Sequence, residues 1–344
     1  MRILFICGSY SPEKCGIGDY LSNLVRALKE YPNIEILLMV NKDWSIKNYF
    51  SILKEIKESK PDIIHIQYPS NGYGLSLLPQ LISLRLRAII TLHEVSHSKI
   101  LRRLSLLFYS IRSSIIFTTS SEKKVYKKYY PWFSGKTAII PIGANIRNEI
   151  KRKDAIKSPN VYNKIINFGQ IRPKKGLEEV IELAALIRKN NLNYKVIIAG
   201  QLIERFVPYY NSLKNLDGAD NITWMFDLKE NEIGNLMQDA SIAYFPFPDG
   251  ASERRGSLLT ALHNQMLVYT TMGKQTPNEM KDIVTIVNSP SDFILDLKEY
   301  DSQRIESLIQ ERYFKVEKYL AQRTWESIAN THLTFYAKFL KKKR

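Results

Sequence analysis

Short β-branched runs alternate with amphipathic stretches along almost the whole chain, and this rhythm starts, stops once and starts again. RILFIC (2–7), IEILLMV (34–40), DIIHIQY (62–68), AIITLHE (88–94), SIIFTT (114–119) and TAIIPIG (137–143) read as strands. Between the first two, IGDYLSNLVRALKEY (17–31) places Tyr20, Leu21, Leu24, Val25 and Leu28 at helical spacing, and NYFSILKEIKES (48–59) reads as a second helix. Strands this apolar, separated by helices, predict a parallel sheet covered on both faces. Residues 150–162 (IKRKDAIKSPNVY) are polar and break the pattern, which places a linker there. The alternation then resumes with strands at 164–169, 194–200, 221–226, 241–247, 267–271 and 284–288 and helices at 177–190, 232–240 and 257–265. A long helical segment from about Ser302 to Leu340 closes the chain. The expected fold class is therefore α/β, with two Rossmann-like, doubly wound parallel-sheet domains at residues 1–155 and 156–324 and ligands at the carboxyl ends of the strands.

A length of 344 residues suits two such domains, and a hydrophobic fraction of 44% supplies their interiors. No run of about 20 uncharged apolar residues is present, and the short apolar N-terminus reads as a buried strand, so the expectation is a cytoplasmic protein without a spanning helix. Cys7 and Cys15 make neither a disulfide framework nor a metal motif, and both thiols are expected to be inert. The net charge of +16 is uneven. Residues 1–155 hold 24 Lys and Arg against 12 Asp and Glu, a net of +12, and five more cations lie in the last seven residues. An excess placed in this way calls for an anionic partner: a membrane surface, a phosphorylated substrate or nucleic acid.

Five segments carry candidate chemistry. In GSYSPEKCGIGDY (8–20), Gly16 and Gly18 precede a helix, where backbone N–H groups can approach an anion. The spacing is not G-x-G-x-x-G, so a dinucleotide site is disfavoured, and a glycine-permitted turn without a ligand is the competing reading. In FGQIRPKKGLEEV (168–180), Arg172, Lys174 and Lys175 follow a strand end and Gly176 opens a helix, an arrangement suited to a pyrophosphate. In FPFPDGASERRGSLLTALHNQ (245–265), Asp249, Glu253, Arg254, Arg255 and Gly256 stand between a strand and a helix. The carboxylates suit sugar hydroxyls and the guanidinium groups suit phosphate, a charged capping turn being the alternative. His93 and Glu94 end the strand in TLHEVSH (91–97), while His65 reads as core or cleft lining. In residues 96–117, Lys99, Arg102, Arg103 and Arg112 interleave with Ile100, Leu101, Leu104, Leu106, Leu107, Phe108 and Tyr109, with Arg85 and Arg87 upstream. That pattern fits a helix lying on an anionic membrane as well as an ordinary packed helix with a charged outer face.

Taken in order, these segments resemble the family 4 glycosyltransferases of the GT-B fold over nearly the whole chain. RILFICGSYSPEKCGIGDYLSNLVRAL resembles the family's opening strand, glycine loop and helix, and TLHE its His-Asp/Glu strand end. FTTSSEKKVYKKY followed by IIPIGANI is similar to its "vSe … iPiG-N" passage, and INFGQIRPKKGLEEVIEL to its "vGr … KG" donor-phosphate element. SIAYFPFPDGASERRGSLLTALHNQMLVYTT resembles the donor-sugar element, and RTWESIANTHLTFY (323–336) the last helix. The resemblance implies an interdomain cleft with a C-terminal helix (about 325–340) crossing back to the first domain. It implies a nucleotide-diphosphate sugar held by the second domain, an acceptor held by the first, retention at the anomeric carbon and no obligatory metal or other cofactor.

Carried over by position, Lys175 meets the donor phosphates, and Arg172 supplies the second cation because Gln170 occupies the family's arginine position. Arg254, Arg255 and Gly256 join them in a variant of the donor element, Gly16 and Gly18 line the cleft, and His93 lies near the reacting sugar. Glu253 matches the first glutamate of the E-x7-E pair one place out of register, and Thr260 replaces the second. Thr260 and Asp227 are the candidates for the ribose and base side. With the basic first domain, the natural acceptor is a glycan or lipid-diphosphate-linked glycan of O-antigen or capsule assembly at the inner membrane face. A non-hydrolysing sugar-nucleotide epimerase of the same fold and a non-catalytic sugar-nucleotide or anionic-polymer binding protein are the alternatives. A nucleic-acid partner is not expected, since the cations interleave with aliphatic residues and no nucleic-acid motif is present.

Overall fold

The computed structural model describes residues 1–10, 15–96, 100–144 and 162–341. The expected linker at 150–162, apart from Tyr162, lies outside them, as do His97 and Lys99. The chain forms two compact units, Met1–Gly143 with Gln322–Arg344, and Ala144–Ala321. Among the described residues, no helix is long and apolar enough to cross a membrane.

The first unit holds a six-stranded parallel sheet of β1 (Arg2–Cys7), β2 (Glu35–Val40), β3 (Ile63–Tyr68), β4 (Ile89–Leu92), β5 (Ser114–Phe117) and β6 (Thr137–Ile139), in the order β2-β1-β3-β4-β5-β6. Alternation along the strands sends residues to opposite faces. Ile3, Phe5 and Cys7 pack with Ile63 and Ile89 beneath the helices Gly16–Lys29 and Trp325–Lys341, whereas Leu4, Ile6, Ile64, Ile66 and Ile90 belong to the core on the other face. The helix Gly16–Lys29 buries the residues its spacing predicts, Tyr20, Leu21, Leu24, Val25 and Leu28.

Two sequence expectations need correction. The long terminal segment is two helices, Ser302–Ala321 and Trp325–Lys341. A new start is made at Thr324, whose hydroxyl accepts from the Ser327 N–H at 3.1 Å, and the boundary between the units falls in this break. The basic stretch before β5 is likewise two short helices, Ile100–Ser105 and Leu107–Arg112, because Leu106 between them turns fully into the core.

The second unit holds β7 (Lys164–Phe168), β8 (Lys195–Gly200), β9 (Ile222–Phe226), β10 (Ile242–Phe245), β11 (Leu267–Thr270) and β12 (Thr285–Ile286), ordered β12-β11-β10-β7-β8-β9 and parallel throughout. Counted from β7, this is the dinucleotide-fold order 3-2-1-4-5-6, with its direction reversing between β7 and β10. Tyr244, Tyr269 and Phe293 fill the interior on one side, the last two with ring centroids 3.8 Å apart.

Candidate functional site

In an open α/β sheet the strand order reverses at one point, and the loops leaving the two flanking strands part to form a crevice there. In the second unit those loops follow β7 and β10, and they are the two the sequence singles out. The loop after β7 is tightly wound. Lys174 and Gly176 have φ of 65° and 73°, and a Cβ on Gly176 would come 1.8 Å from the Pro246 carbonyl oxygen in the loop after β10. Glycine is therefore required at 176 both for its dihedral and for the approach of the two loops. Similarly, a Cβ on Gly200 would come 1.7 Å from the Gly169 carbonyl oxygen, so β8 also ends against this loop.

Around this contact the cations gather. The Arg255 guanidinium lies over the Phe247 ring at 4.2 Å from its centroid and pairs with Asp249, while Lys175 Nζ lies 5.8 Å from the same ring. Burial, then the charges of Arg172 and Arg255, push the Lys175 ammonium down to about 7, with Asp249 acting in the opposite sense. Three cations held together in a partly buried place oppose one another's charge, and an anion binding among them relieves that opposition. The helix Leu177–Lys189 starts directly after Gly176 and the helix Gly256–His263 directly after Arg255, so the first backbone N–H groups of both, which have no partner within their helix, adjoin the same loops. Arg254 turns instead to Gln275 Oε1, 3.0 Å away. Glu253 stands half-buried in the turn before the second of these helices.

The remaining two candidates of this unit lie differently. Asp227 is exposed after β9, two strands from the reversal, with φ 49° and its N–H on the Gly200 carbonyl at 3.1 Å. Thr260 is fully buried on the inner side of its helix, and among the described residues its hydroxyl has no hydrogen-bond partner, so this side chain is not presented to solvent beside Arg255 and Lys175.

In the first unit the strand order turns back between β1 and β3. Here a Cβ on Gly72 would lie 2.0 Å from the Gly8 carbonyl oxygen, and one on Gly18 would lie 2.9 Å from that of Ser9. A Cβ on Gly16 meets nothing among the described residues within 4 Å. Sequence reasoning picked Gly16 and Gly18 and passed over Gly8 and Gly72, whose close approach is visible only once β1 and β3 are neighbours.

His93 follows β4. Its backbone N–H donates to the Tyr68 carbonyl at 2.9 Å, its Nε2 lies 2.9 Å from Gln67 Oε1, and its ring meets the Tyr20 ring edge-on with centroids 4.8 Å apart. The loop beyond it is anchored by Glu122, a fully buried carboxylate that accepts from the Val95 N–H (2.6 Å), the Ser96 N–H (2.9 Å) and the Ser96 hydroxyl (2.6 Å). Beneath His93 runs a buried polar chain: Gln67 Nε2 lies 3.3 Å from His65 Nε2, which is 2.7 Å from Thr91 Oγ1, and His65 Nδ1 is 2.7 Å from the Tyr336 hydroxyl. His332 joins through Nε2, 3.4 Å from the Tyr20 hydroxyl. Burial is the main cause that takes His93 down to about 3 and His332 to about 4 and holds His65 well below its ordinary value, so all three are neutral at pH 7. The sequence reads His65 as core or cleft lining, and the structure buries it fully, but the sequence reading leaves out Gln67, Glu122, His332 and Tyr336. The available signal was a polar pair, His65 and Gln67, two apart on an apolar strand and hence on one face.

Cys7 and Cys15 are free and buried, and burial raises the Cys7 thiol to about 11, where it gives almost no thiolate.

Residues 6–148 match the Glycosyltransferase Family 4 model and residues 148–253 the model of glycosyl transferases group 1, so the two matches run without a gap from residue 6 to residue 253 and end just before Arg254 and Arg255. The chain belongs to the family 4 glycosyltransferases. This glycosyltransferase is 22% identical over 273 residues to the uncharacterized glycosyltransferase YqgM of Bacillus subtilis, covering 72% of each chain. Its fold is that of the GT-B enzymes. Anabaena HepE in complex with UDP and glucose superposes with a TM-score of 0.70 at 13% identity, over 98% of this chain and all of that one. Sucrose-phosphate synthase of Thermosynechococcus elongatus gives 0.69 at 14% identity over 99% and 100%. WaaG, a glycosyltransferase involved in lipopolysaccharide biosynthesis, gives 0.62 at 15% identity over 96% and 98%.

Proposed function

We propose that this glycosyltransferase takes its sugar from a nucleotide-diphosphate sugar, whose diphosphate is held in the second unit by Arg172, Lys175 and Arg255. The observation that carries the reading is the meeting of Lys175 and Arg255 about Phe247 at the strand reversal, with the Arg172 charge acting on Lys175 and a helix starting directly after each of the two loops. The UDP bound in the similar HepE structure supports it. During transfer, negative charge develops on the departing diphosphate. Fixed cations and N–H dipoles stabilise that charge without reorganising, which is chemistry that needs no obligatory metal. Arg254 and Gly256 sit in the same turn as Arg255 and complete the donor loop, and Glu253 and His93 are the candidates nearest the reacting sugar. With no nucleophilic carboxylate assigned, same-face attack with retention is the preferred course.

For the acceptor we propose a glycan or a lipid-diphosphate-linked glycan of surface polysaccharide assembly, met at the inner face of the cell membrane. Ile100, Leu101, Leu104 and Ile111 are exposed on the two short helices that carry Arg102, Arg103 and Arg112, in the part of the chain with the cationic excess. Apolar side chains flanked by cations suit the headgroup boundary of an anionic bilayer.

The donor reading is tested by thermal-shift titration with UDP-, GDP-, ADP- and dTDP-sugars. One nucleotide series should stabilise the wild type and fail to stabilise Lys175→Ala, and equal stabilisation of both proteins would remove Lys175 from the site. Flotation with vesicles of anionic and of neutral lipid tests the membrane reading, which fails if anionic vesicles bind nothing at low salt.

A further inference from the structure

The chain of contacts from His93 inward has a direction. An amide carbonyl oxygen only accepts, so the 2.9 Å contact between Gln67 Oε1 and His93 Nε2 requires a proton on that nitrogen. The ring is neutral, hence Nδ1 is bare and takes no hydrogen bond among the described residues. The other end of the same amide faces His65 Nε2, which accepts there and from the Thr91 hydroxyl, while His65 Nδ1–H donates to Tyr336. Reversing His93 would require the Gln67 amide to turn over and His65 to change tautomer with it. Gln67 is fully buried, so no water stands in for a lost partner, and an unmatched amide there is costly.

We infer that Gln67 is a positioning residue that holds His93 as its Nε2–H tautomer, leaving Nδ1 as the ring nitrogen offered to substrate. Its consequence for catalysis rests on the reading of His93 as a residue of the reacting centre, whereas the tautomer itself does not. In this arrangement His93 accepts a hydrogen bond from a sugar or acceptor hydroxyl rather than donating one. Which nitrogen of a histidine carries the proton is set by what the other one touches, and here that contact lies on β3, one strand away.

The test is long-range 15N–1H correlation on protein labelled in its five histidines, with His93 assigned by its loss in His93→Gln. Wild type should show a protonated Nε2 and a bare Nδ1 at pH 7.5. Gln67→Leu, which removes the acceptor, should lose that pattern. A protonated Nδ1 in the wild type, or an unchanged pattern in folded Gln67→Leu, overturns the inference. If Gln67→Leu does not fold, the wild-type spectrum still decides. Turnover of the donor identified by thermal shift gives the second readout. Gln67→Leu should lower kcat at least tenfold with donor KM within twofold. A correct tautomer with no change in kcat would sink the role given to His93 while leaving the positioning by Gln67 intact.

Discussion

The Tyr336 hydroxyl lies 2.7 Å from Nδ1 of His65, so the last helix reaches the middle strand of the first sheet through a buried hydrogen bond. Both side chains are inaccessible to solvent, and neither has water to replace the other. Tyr336→Phe removes one partner and should cost about 1–3 kcal/mol. Tyr336→Ala also empties the volume of a ring and should cost about 3–5 kcal/mol. Urea unfolding of the first unit, followed by hydrogen exchange in β3 and in Trp325–Lys341, measures both. Losses of only a few tenths of a kcal/mol would show that the helix is held by its apolar side chains alone.

Stability of the first unit should fall on acidification. His332 and His93, at about 4 and about 3, remain neutral in the folded protein, whereas in the unfolded chain they titrate near 6.5. The unfolded state therefore binds more protons once the pH drops below about 6.5. The contribution is fully present above that value and is lost progressively down to about 4 and beyond, at up to about 1.4 kcal/mol per pH unit for each histidine. The urea midpoint should decrease steadily from pH 7 to pH 4.5, and His332→Gln should flatten the slope even if it lowers the midpoint. A midpoint independent of pH across that range would mean that these rings are not held neutral.

Lys175 gives the donor site its own pH signature. Its ammonium titrates near 7 because burial and two neighbouring cations oppose its charge. A diphosphate diester carries no group that titrates between pH 6 and 8.5, so any pH dependence of its binding in that window comes from the protein. Binding favours the charged lysine, so affinity for a UDP-sugar should weaken as pH rises above 7, approaching tenfold per unit if the bound complex requires the ammonium. Lys175→Ala should abolish this slope and lose at least about 2 kcal/mol of transition-state stabilisation. Calorimetric titration of wild type and variant at three pH values settles it, and parallel slopes would assign the dependence elsewhere.

The fold was legible because its signal is long and repeated. Each apolar run fell on a strand, and the sequence positions of Tyr20, Leu21, Leu24, Val25 and Leu28 foretold the buried face of the first helix. The cationic loop at Arg172–Gly176 was legible for another reason, since a strand end, cations and a glycine before a helix are local features. What stayed hidden depends on neighbours distant in sequence. Gln67 and Tyr336 read as an unremarked strand residue and a helix aromatic until β3 and the last helix are brought together. The helical segment at about 302–340 read as one run from its pattern, while the resemblance already placed a separate last helix at about 325–340, which the hydroxyl cap of Thr324 starts. Thr260 was carried over from the family's pattern by position, and that correspondence does not show that its side chain is fully buried.

Two glycines chosen from the sequence should respond in opposite ways to alanine. At Gly176 a methyl group would fall 1.8 Å from the Pro246 carbonyl oxygen, at a φ of 73° that alanine disfavours. Either the loop after β7 or the loop after β10 must move, and these are the loops that bring Lys175 and Arg255 to Phe247. Gly176→Ala should therefore destabilise the second unit by about 2–4 kcal/mol and weaken donor binding together. At Gly16 a methyl group meets no described atom within 4 Å, and its φ is an ordinary one. Gly16→Ala should leave stability within about 0.5 kcal/mol of wild type or raise it slightly, since alanine is the better helix former. Any loss of transferase activity in that variant would then report a ligand that needs the open space at residue 16. Unchanged activity would reduce Gly16 to a helix start, and an equally destabilised Gly16→Ala would show that the space is filled by the protein itself.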